Sequence, residues 1–330
     1  MANFVDVLGA SASTKAIRDS LFRFFSQHVI TRAMLQTISM VTMTAEDVSA
    51  VAAAYEQWLG YRIVQSGTVS AELAQLWQTP NVAGRAQCLL QPASGEPVYL
   101  RFVEAPPVTG YAPLLTYGWN AVELLAEDPD ALAQHLADSP FKIIGEPRNL
   151  TFSEHIRAMQ ALGPAGELLY FTRITPGMTR FKLGHAQSFV DRPFIIINGG
   201  ADIDEMRAFY AEKLKLKVSP TSAGRIAVLS RAYGMDDETP QTLSLAALPE
   251  RFGVELDQYP TAAVARPQVA GELPPGIASV SFTMSSLDEV ALPWRHAPQA
   301  IDEWPYVGRR AVVTIGVAGE WIELIEEVAV

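Results

Sequence analysis

The stretch GVAGEWIELIEEV (residues 316–328) sets a carboxylate, Glu323, inside an apolar run. An earlier stretch, GPAGELLYFTRIT (163–175), repeats the frame G-x-A-G-E and has Tyr170 in the slot of Glu323. With the two-residue period of a strand, Trp321, Glu323 and Ile325 share one face and Ile322 and Leu324 the other. A phenol such as Tyr170 can donate a hydrogen bond to a developing oxyanion. His155, in NLTFSEHIRAMQ, offers an imidazole that titrates near neutrality and suits proton abstraction. Arg157 and Met159 share its face if the segment is a strand, and Tyr170 falls on the neighbouring strand. Glu123, in NAVELLA, is a carboxylate among apolar residues. It reads as an acid or base, or as the ion-pair partner of an arginine such as Arg157. The pairs Ser279/Ser281 and Arg309/Arg310 read as contacts for a polar substrate group, and His296, in LPWRHAP, as a ligand or base.

The chain that must position these groups has 330 residues, 49% of them apolar, which suggests about two domains with ample core. The net charge of −11 and the absence of a basic run disfavour nucleic acid and anionic membranes as partners, leaving a small-molecule substrate. The single cysteine, Cys88, precludes an intrachain disulfide and fits a reducing, cytoplasmic setting. The N-terminus has no secretory pattern, and no apolar run reaches bilayer length. Within it, Ile17, Leu21, Phe24, Phe25 and Val29 fall on one face of a predicted amphipathic helix, suited to packing on the body or on a second subunit of a homodimer.

The chain repeats itself. IRAMQALGPAGELLYF (156–171) aligns without gaps on RRAVVTIGVAGEWIEL (309–324), so that Arg157 falls on Arg310 and Gly166 on Gly319. GWNAVELLAEDPDAL pairs with GIASVSFTMSSLDEV, and VAAAYEQWLGYRI with MRAFYAEKLKLKV. Three segments in the same order make a tandem duplication. Each half reads as strand, helix and three strands, twice over. TISMVTM (37–43) and PFIIING (193–199) are the opening strands, and RIAVLSRAY and QTLSLAAL are further strands of the second half. Asp128-Pro129 starts a helix with cap and proline in order, and Asp202 or Asp204 caps another. The predicted divisions are a helical extension (1–34), a first domain (35–175), a linker (176–191) and a second domain (192–330).

This pattern resembles the vicinal oxygen chelate superfamily, which holds glyoxalase I, extradiol dioxygenases and bleomycin- and fosfomycin-resistance proteins. AYEQWLGYRI and FYAEKLKLKV resemble the family's F-Y-x-x-x-L-G-hydrophobic motif, and G-x-A-G-E-hydrophobic-E its D-P-x-G-N-x-hydrophobic-E ending. The resemblance implies an α+β fold of two tandem domains, each a cupped mixed sheet of paired βαβββ modules. It also implies a divalent metal on the concave face, held from the first, fourth, fifth and eighth strands. Carried over, the first, fifth and eighth positions fall on Met40, Ala121 and Tyr170 in the first half and on Ile195, Ser279 and Glu323 in the second. Only Glu323 is a good ligand, and a metal needs about three.

The resemblance also puts Glu123 on the concave face, two residues beyond Ala121. The expectation is therefore an enzyme of lyase or isomerase type that uses metal-free acid–base chemistry. His155, Glu123 and Tyr170 are its catalytic candidates, and Arg157, Ser279, Glu323 and Arg310 its substrate contacts. Two alternatives stay open. One is an Fe, Mn or Zn enzyme using Glu323 and His296. The other is a resistance-type binding protein walled by tryptophans.

Overall fold

The computed structural model describes residues 34–150, 153–176, 183–249 and 251–327. The predicted N-terminal helix lies outside them, as does part of the linker.

Four modules follow one another. The first holds β1 (Leu35–Ala45), β2 (Arg62–Thr68), β3 (Ala86–Gln91) and β4 (Tyr99–Glu104). The second holds β5 (Gly118–Ala126), β6 (Lys142–Leu150), β7 (Ser153–Leu162) and β8 (Leu168–Ile174). The third holds β9 (Val190–Gly200), β10 (Lys217–Val218), β11 (Ser222–Arg225), β12 (Pro240–Ala247) and β13 (Gly253–Gln258). The fourth holds β14 (Ile277–Met284), β15 (Gln299–Ile301), β16 (Arg309–Ile315) and β17 (Trp321–Glu326). In each module a helical segment follows the first strand and starts at a side-chain cap. Asp47, Asp128, Asp202 and Ser286 each accept from backbone N–H groups two or three residues on, satisfying donors that a helix start leaves free.

The modules pair across the two halves. One sheet runs β15-β16-β17-β14-β1-β4-β3-β2, joining the first module to the fourth. The other runs β10-β12-β13-β9-β5-β8-β7-β6, joining the second to the third, with β11 on β12. The sequence predicts that each half closes its own cup, and the sheets differ from that. Met40 pairs with Ser281, and Glu123 with Ile195. β1 and β9 are flanked by β14 and β5 of the opposite half, so the central seam of each sheet is an antiparallel pair between strands distant in the chain, which no local pattern specifies. Trp119 Nε1 donates to the Trp321 carbonyl at 2.7 Å and ties the sheets together.

The two repeated motifs meet in space. Tyr55, in the first module's helix, donates to Glu167 of the G-x-A-G-E turn at 2.6 Å, and Tyr210 donates to Glu320 at 3.1 Å. Each glutamate also takes the N–H two residues before it, Ala165 or Ala318, at 2.9 Å. The glutamate of the repeated frame is thus a turn-closing residue. Burial pushes Glu167 and Glu320 up to about 7, with the tyrosine and backbone bonds pulling the other way.

RIAVLSRAY is a further difference. Its centre is a helix, Ala227–Ala232, with Ala227, Val228, Leu229 and Ser230 buried. A short apolar run does not distinguish strand from buried helix by period.

Candidate active site

The concave face of the β9–β5 sheet encloses a cavity of about 250 Å³. Its floor comes from β5, β8, β9 and β13, and its roof from β6, β11 and the helix Ala227–Ala232. The register explains which side chains face it, because residues paired across a ladder point to the same side. One row across the sheet is Gln160, Tyr170, Glu123 and Ile195; the next holds Ile197, Glu255 and Leu245. Ile156, Ala158, Ile174, Leu183, Phe194 and Val228 complete apolar walls, while Arg148 and Arg225 lie exposed around it.

Glu123 is the central polar group. Thr172 Oγ1 donates to its Oε1 at 2.5 Å. Burial, then the nearby Glu255, push its carboxyl up to about 8 against the pull of the Thr172 bond. At neutral pH it is mostly protonated, with a carboxylate fraction of roughly one in ten. Burial also raises the Tyr170 phenol well above its ordinary range, so it stays a donor. Glu255 and Asp257 stand two residues apart on one face of β13 and share a hydrogen bond between their carboxyls. Burial raises both; the Asp257 charge and the shared bond raise Glu255 further, while the same bond pulls Asp257 the other way.

Of the residues singled out in the sequence, Glu123 and Tyr170 line this cavity side by side, as register neighbours on β5 and β8. His155 and Arg157 do not. Ile156, Ala158 and Gln160 face the cavity, so the alternate residues of β7 turn to the other side. Arg157 grips Asp130 there, at 2.5 Å through both Nε and Nη2, and His155 stands 3.8 Å from Glu154. The ion pair proposed for Glu123 with Arg157 is therefore replaced by Arg157 with Asp130.

The remaining candidates belong to the other sheet, whose concave face is filled. Glu323 is fully buried. Its oxygens accept from Trp77 Nε1 at 2.7 Å, Ser281 Oγ at 2.8 Å and Tyr306 OH at 2.8 Å. Arg101 donates to Tyr306 OH at 3.0 Å and lies over the rings of both Trp77 and Tyr306. Ser281, not Ser279, is the register partner of Glu323; Ser279 Oγ turns to the Trp321 carbonyl at 3.3 Å. Arg310 sits on the opposite face of β16 from Val313, the partner of Glu323, and binds Glu326 at 2.6 and 2.7 Å. His296 is half-buried and contacts the Ala297 carbonyl at 2.7 Å and Gln75 at 3.4 Å. The helix Ala71–Trp77 and the segment around Tyr306 occupy the space where a ligand would otherwise enter.

Neither concave face has a donor set that fits a divalent metal. Glu323 has given both oxygens to protein donors. In the cavity-bearing cup the first-strand positions are Ile195 and Ile197, and Glu123 and Glu255 stand on strands either side of β9. Among the described residues no three His, Cys, Asp or Glu are grouped to hold a metal ion.

Sequence reasoning missed Glu255, Asp257, Gln160 and Thr172. The strand GVELDQ alternates apolar and acidic residues, a pattern that reads as a half-solvated strand. Here Val254 and Leu256 are buried in the main core, Glu255 lines the cup, and Asp257 lies behind it on the same face of the strand. The signal that could have found them was the fourth-strand ligand position, which falls in this strand.

Comparison with solved structures shows what class of fold this is. Glyoxalase I from Zea mays matches at 12% identity and a TM-score of 0.58, over 88% of this chain and 92% of that one. A variant of the same protein matches at 12% identity and a TM-score of 0.59, over 95% of this chain and 96% of that one. A protein from Bacillus subtilis matches at 12% identity and a TM-score of 0.58, over 90% and 87%. No protein-family model and no curated protein matches the sequence. The chain thus has the vicinal oxygen chelate fold, α+β with two cupped mixed sheets of paired βαβββ modules. Both halves are matched within single chains of that fold.

Proposed function

We propose that this protein is an acid–base enzyme acting on one small organic molecule in the β9–β5 cup, by a proton shift of isomerase or lyase type. The observation that carries the reading is Glu123, a hydrogen-bonded carboxyl raised to about 8 in the wall of an apolar cavity, with the Tyr170 phenol beside it. A base whose pKa lies near the working pH combines available carboxylate with driving force for proton transfer. In the step envisaged, the Glu123 carboxylate takes a proton from the carbon next to a carbonyl. Tyr170 donates to the oxygen on which negative charge develops. Glu123 then returns the proton to a neighbouring carbon, or to a leaving group in a lyase step, and no electron leaves the substrate. The opposite cup, filled around Glu323, takes no part. The activity of the Zea mays protein belongs to that protein, since likeness at this identity concerns the fold.

Hydrogen–deuterium exchange tests the reading. Small carbonyl compounds that bind the protein are incubated with it in D2O, and exchange at the carbon next to the carbonyl is followed by proton NMR. The expected result is catalysed exchange that grows as pH rises through about 8 and falls by roughly a hundredfold or more in Glu123→Gln. Binding at the cup with no exchange for any bound compound would leave a sequestering protein and sink the enzyme reading.

A further inference from the structure

The cup has a second polar feature that the proton shift does not use. Glu255 lines the cavity on the far side of β9 from Glu123. Asp257 is 2% exposed, and its register partner on β12 is Leu243, which lines the cavity; the Asp257 carboxyl is turned to the same side but stands behind Glu255, which is the member of the pair that borders the cavity. One of the Asp257 oxygens, Oδ1, has no hydrogen-bond partner among the described residues. The arginines around the cavity are engaged elsewhere: Arg225 pairs with Glu238, and Arg148 stands by Asp237. A buried carboxyl pair with one acceptor left bare costs free energy, part of which a ligand recovers by donating to Glu255, the member that borders the cavity. Two acids at an apolar inner wall also favour positive charge there and repel a carboxylate or phosphate.

We infer that the cup takes a small organic cation, a molecule with an apolar body whose protonated amine is received by the Glu255–Asp257 pair. The inference rests on the reading that this cup is the ligand site and narrows its substrate class. The walls fit the body of such a molecule: Phe194 and Tyr170 are aromatic, Ile195, Ile197 and Leu243 aliphatic. The ammonium end would lie toward Glu255 and leave Glu123, two strands away, free to act on the other end.

Three probes of one shape test this: protonated 2-phenylethylamine, 2-phenylethanol and phenylacetate, titrated calorimetrically into the intact protein at neutral pH. The amine should bind about tenfold or more tighter than the alcohol, and phenylacetate weakest. Glu255→Gln should bring amine and alcohol to near parity while the alcohol keeps its affinity, which shows that the cup is intact. Asp257→Asn should act in the same direction, and serves if the first variant does not fold. Glu123→Gln should keep the amine preference even where it abolishes exchange, so the two readings fail separately. Equal or better binding of the alcohol, a preference that survives Glu255→Gln, or no binding by any probe at millimolar concentration would overturn the inference.

Discussion

Glutamine at position 123 keeps the shape of the side chain and removes its titration. The folded protein holds the Glu123 proton up to about 8, whereas the ordinary value is 4.5. Between these two values the folded state keeps a proton that the unfolded chain has released. Stability therefore falls as pH rises through this window, and the loss is complete above about 8. The difference, 8 − 4.5, corresponds to about 5 kcal/mol as an upper bound. Relaxation and water in the cavity reduce such penalties, and about 2 kcal/mol is the expected size. An unfolding entropy of about 2.1 cal/mol/K per residue turns that into a shift of roughly 3 °C for a chain of this length. Melting curves from pH 5 to pH 9.5 at fixed ionic strength, by fluorescence, provide the assay. Near pH 5, close to the ordinary value of 4.5, the wild type and Glu123→Gln should melt almost together, since Thr172 can donate to the glutamine oxygen as it does to the acid, and the gap should open steadily as pH rises from there. Near pH 9 the variant should melt higher by that amount. Glu167 and Glu320 titrate in both proteins, so only the difference between the curves matters. A difference that does not change with pH, or a variant that is weaker at pH 9, would refute the assignment of Glu123 as a buried neutral acid.

Trp77→Phe removes one of three donors to the buried Glu323 and should cost about 1–3 kcal/mol in urea unfolding, while ligand binding in the other cup stays unchanged. Gly199→Ala places a methyl 2.3 Å from the Tyr259 ring and should destabilise by about 1–3 kcal/mol, read by the same unfolding curves. Cys88 is buried, and desolvation pushes its thiol up to about 11; Ellman's reagent at pH 8 should label it only after denaturant is added, followed by absorbance.

Much of the fold was legible because its signals are local. The strand PFIIING is continuous and apolar and is buried from end to end in β9. Asp128-Pro129 caps its helix as the order of the two residues predicts. The repeated G-x-A-G-E frame marks two equivalent turns, and the glutamate in it is explained by a tyrosine over a hundred residues away. What the sequence did not convey depends on pairing between distant strands. Glu123 stood out as a carboxylate among apolar residues and Tyr170 as the residue in the slot of Glu323, and the strand register sets the two side by side. His155 was misplaced because the segment's period is right but its phase is not: a one-residue difference in which face is inward exchanges His155 and Arg157 for Ile156 and Ala158. Glu255 and Asp257 were overlooked because acids alternating with apolar residues look solvated until a second module covers them. Glu323 stood in a ligand position, yet its three donors come from Trp77, Ser281 and Tyr306, two of them far from it in the chain.

The nesting of the modules, outer with outer and inner with inner, has a consequence for the order in which the chain acquires structure. During synthesis the second and third modules can close the cavity-bearing cup as soon as β13 has left the ribosome, with Glu123 and Ile195 only a modest loop apart. The first module has by then been made in full, but its seam partner β14 arrives later, and Met40 waits for Ser281 near the end of synthesis. Loop closure across that span is slow relative to the inner pairing. Until then β1 carries an unpaired edge of apolar residues, Ile38, Met40 and Val41 among them. The filled cup around Glu323 is thus a clasp fastened last, and a chain stopped short of residue 277 would hold the cavity while leaving an adhesive strand exposed.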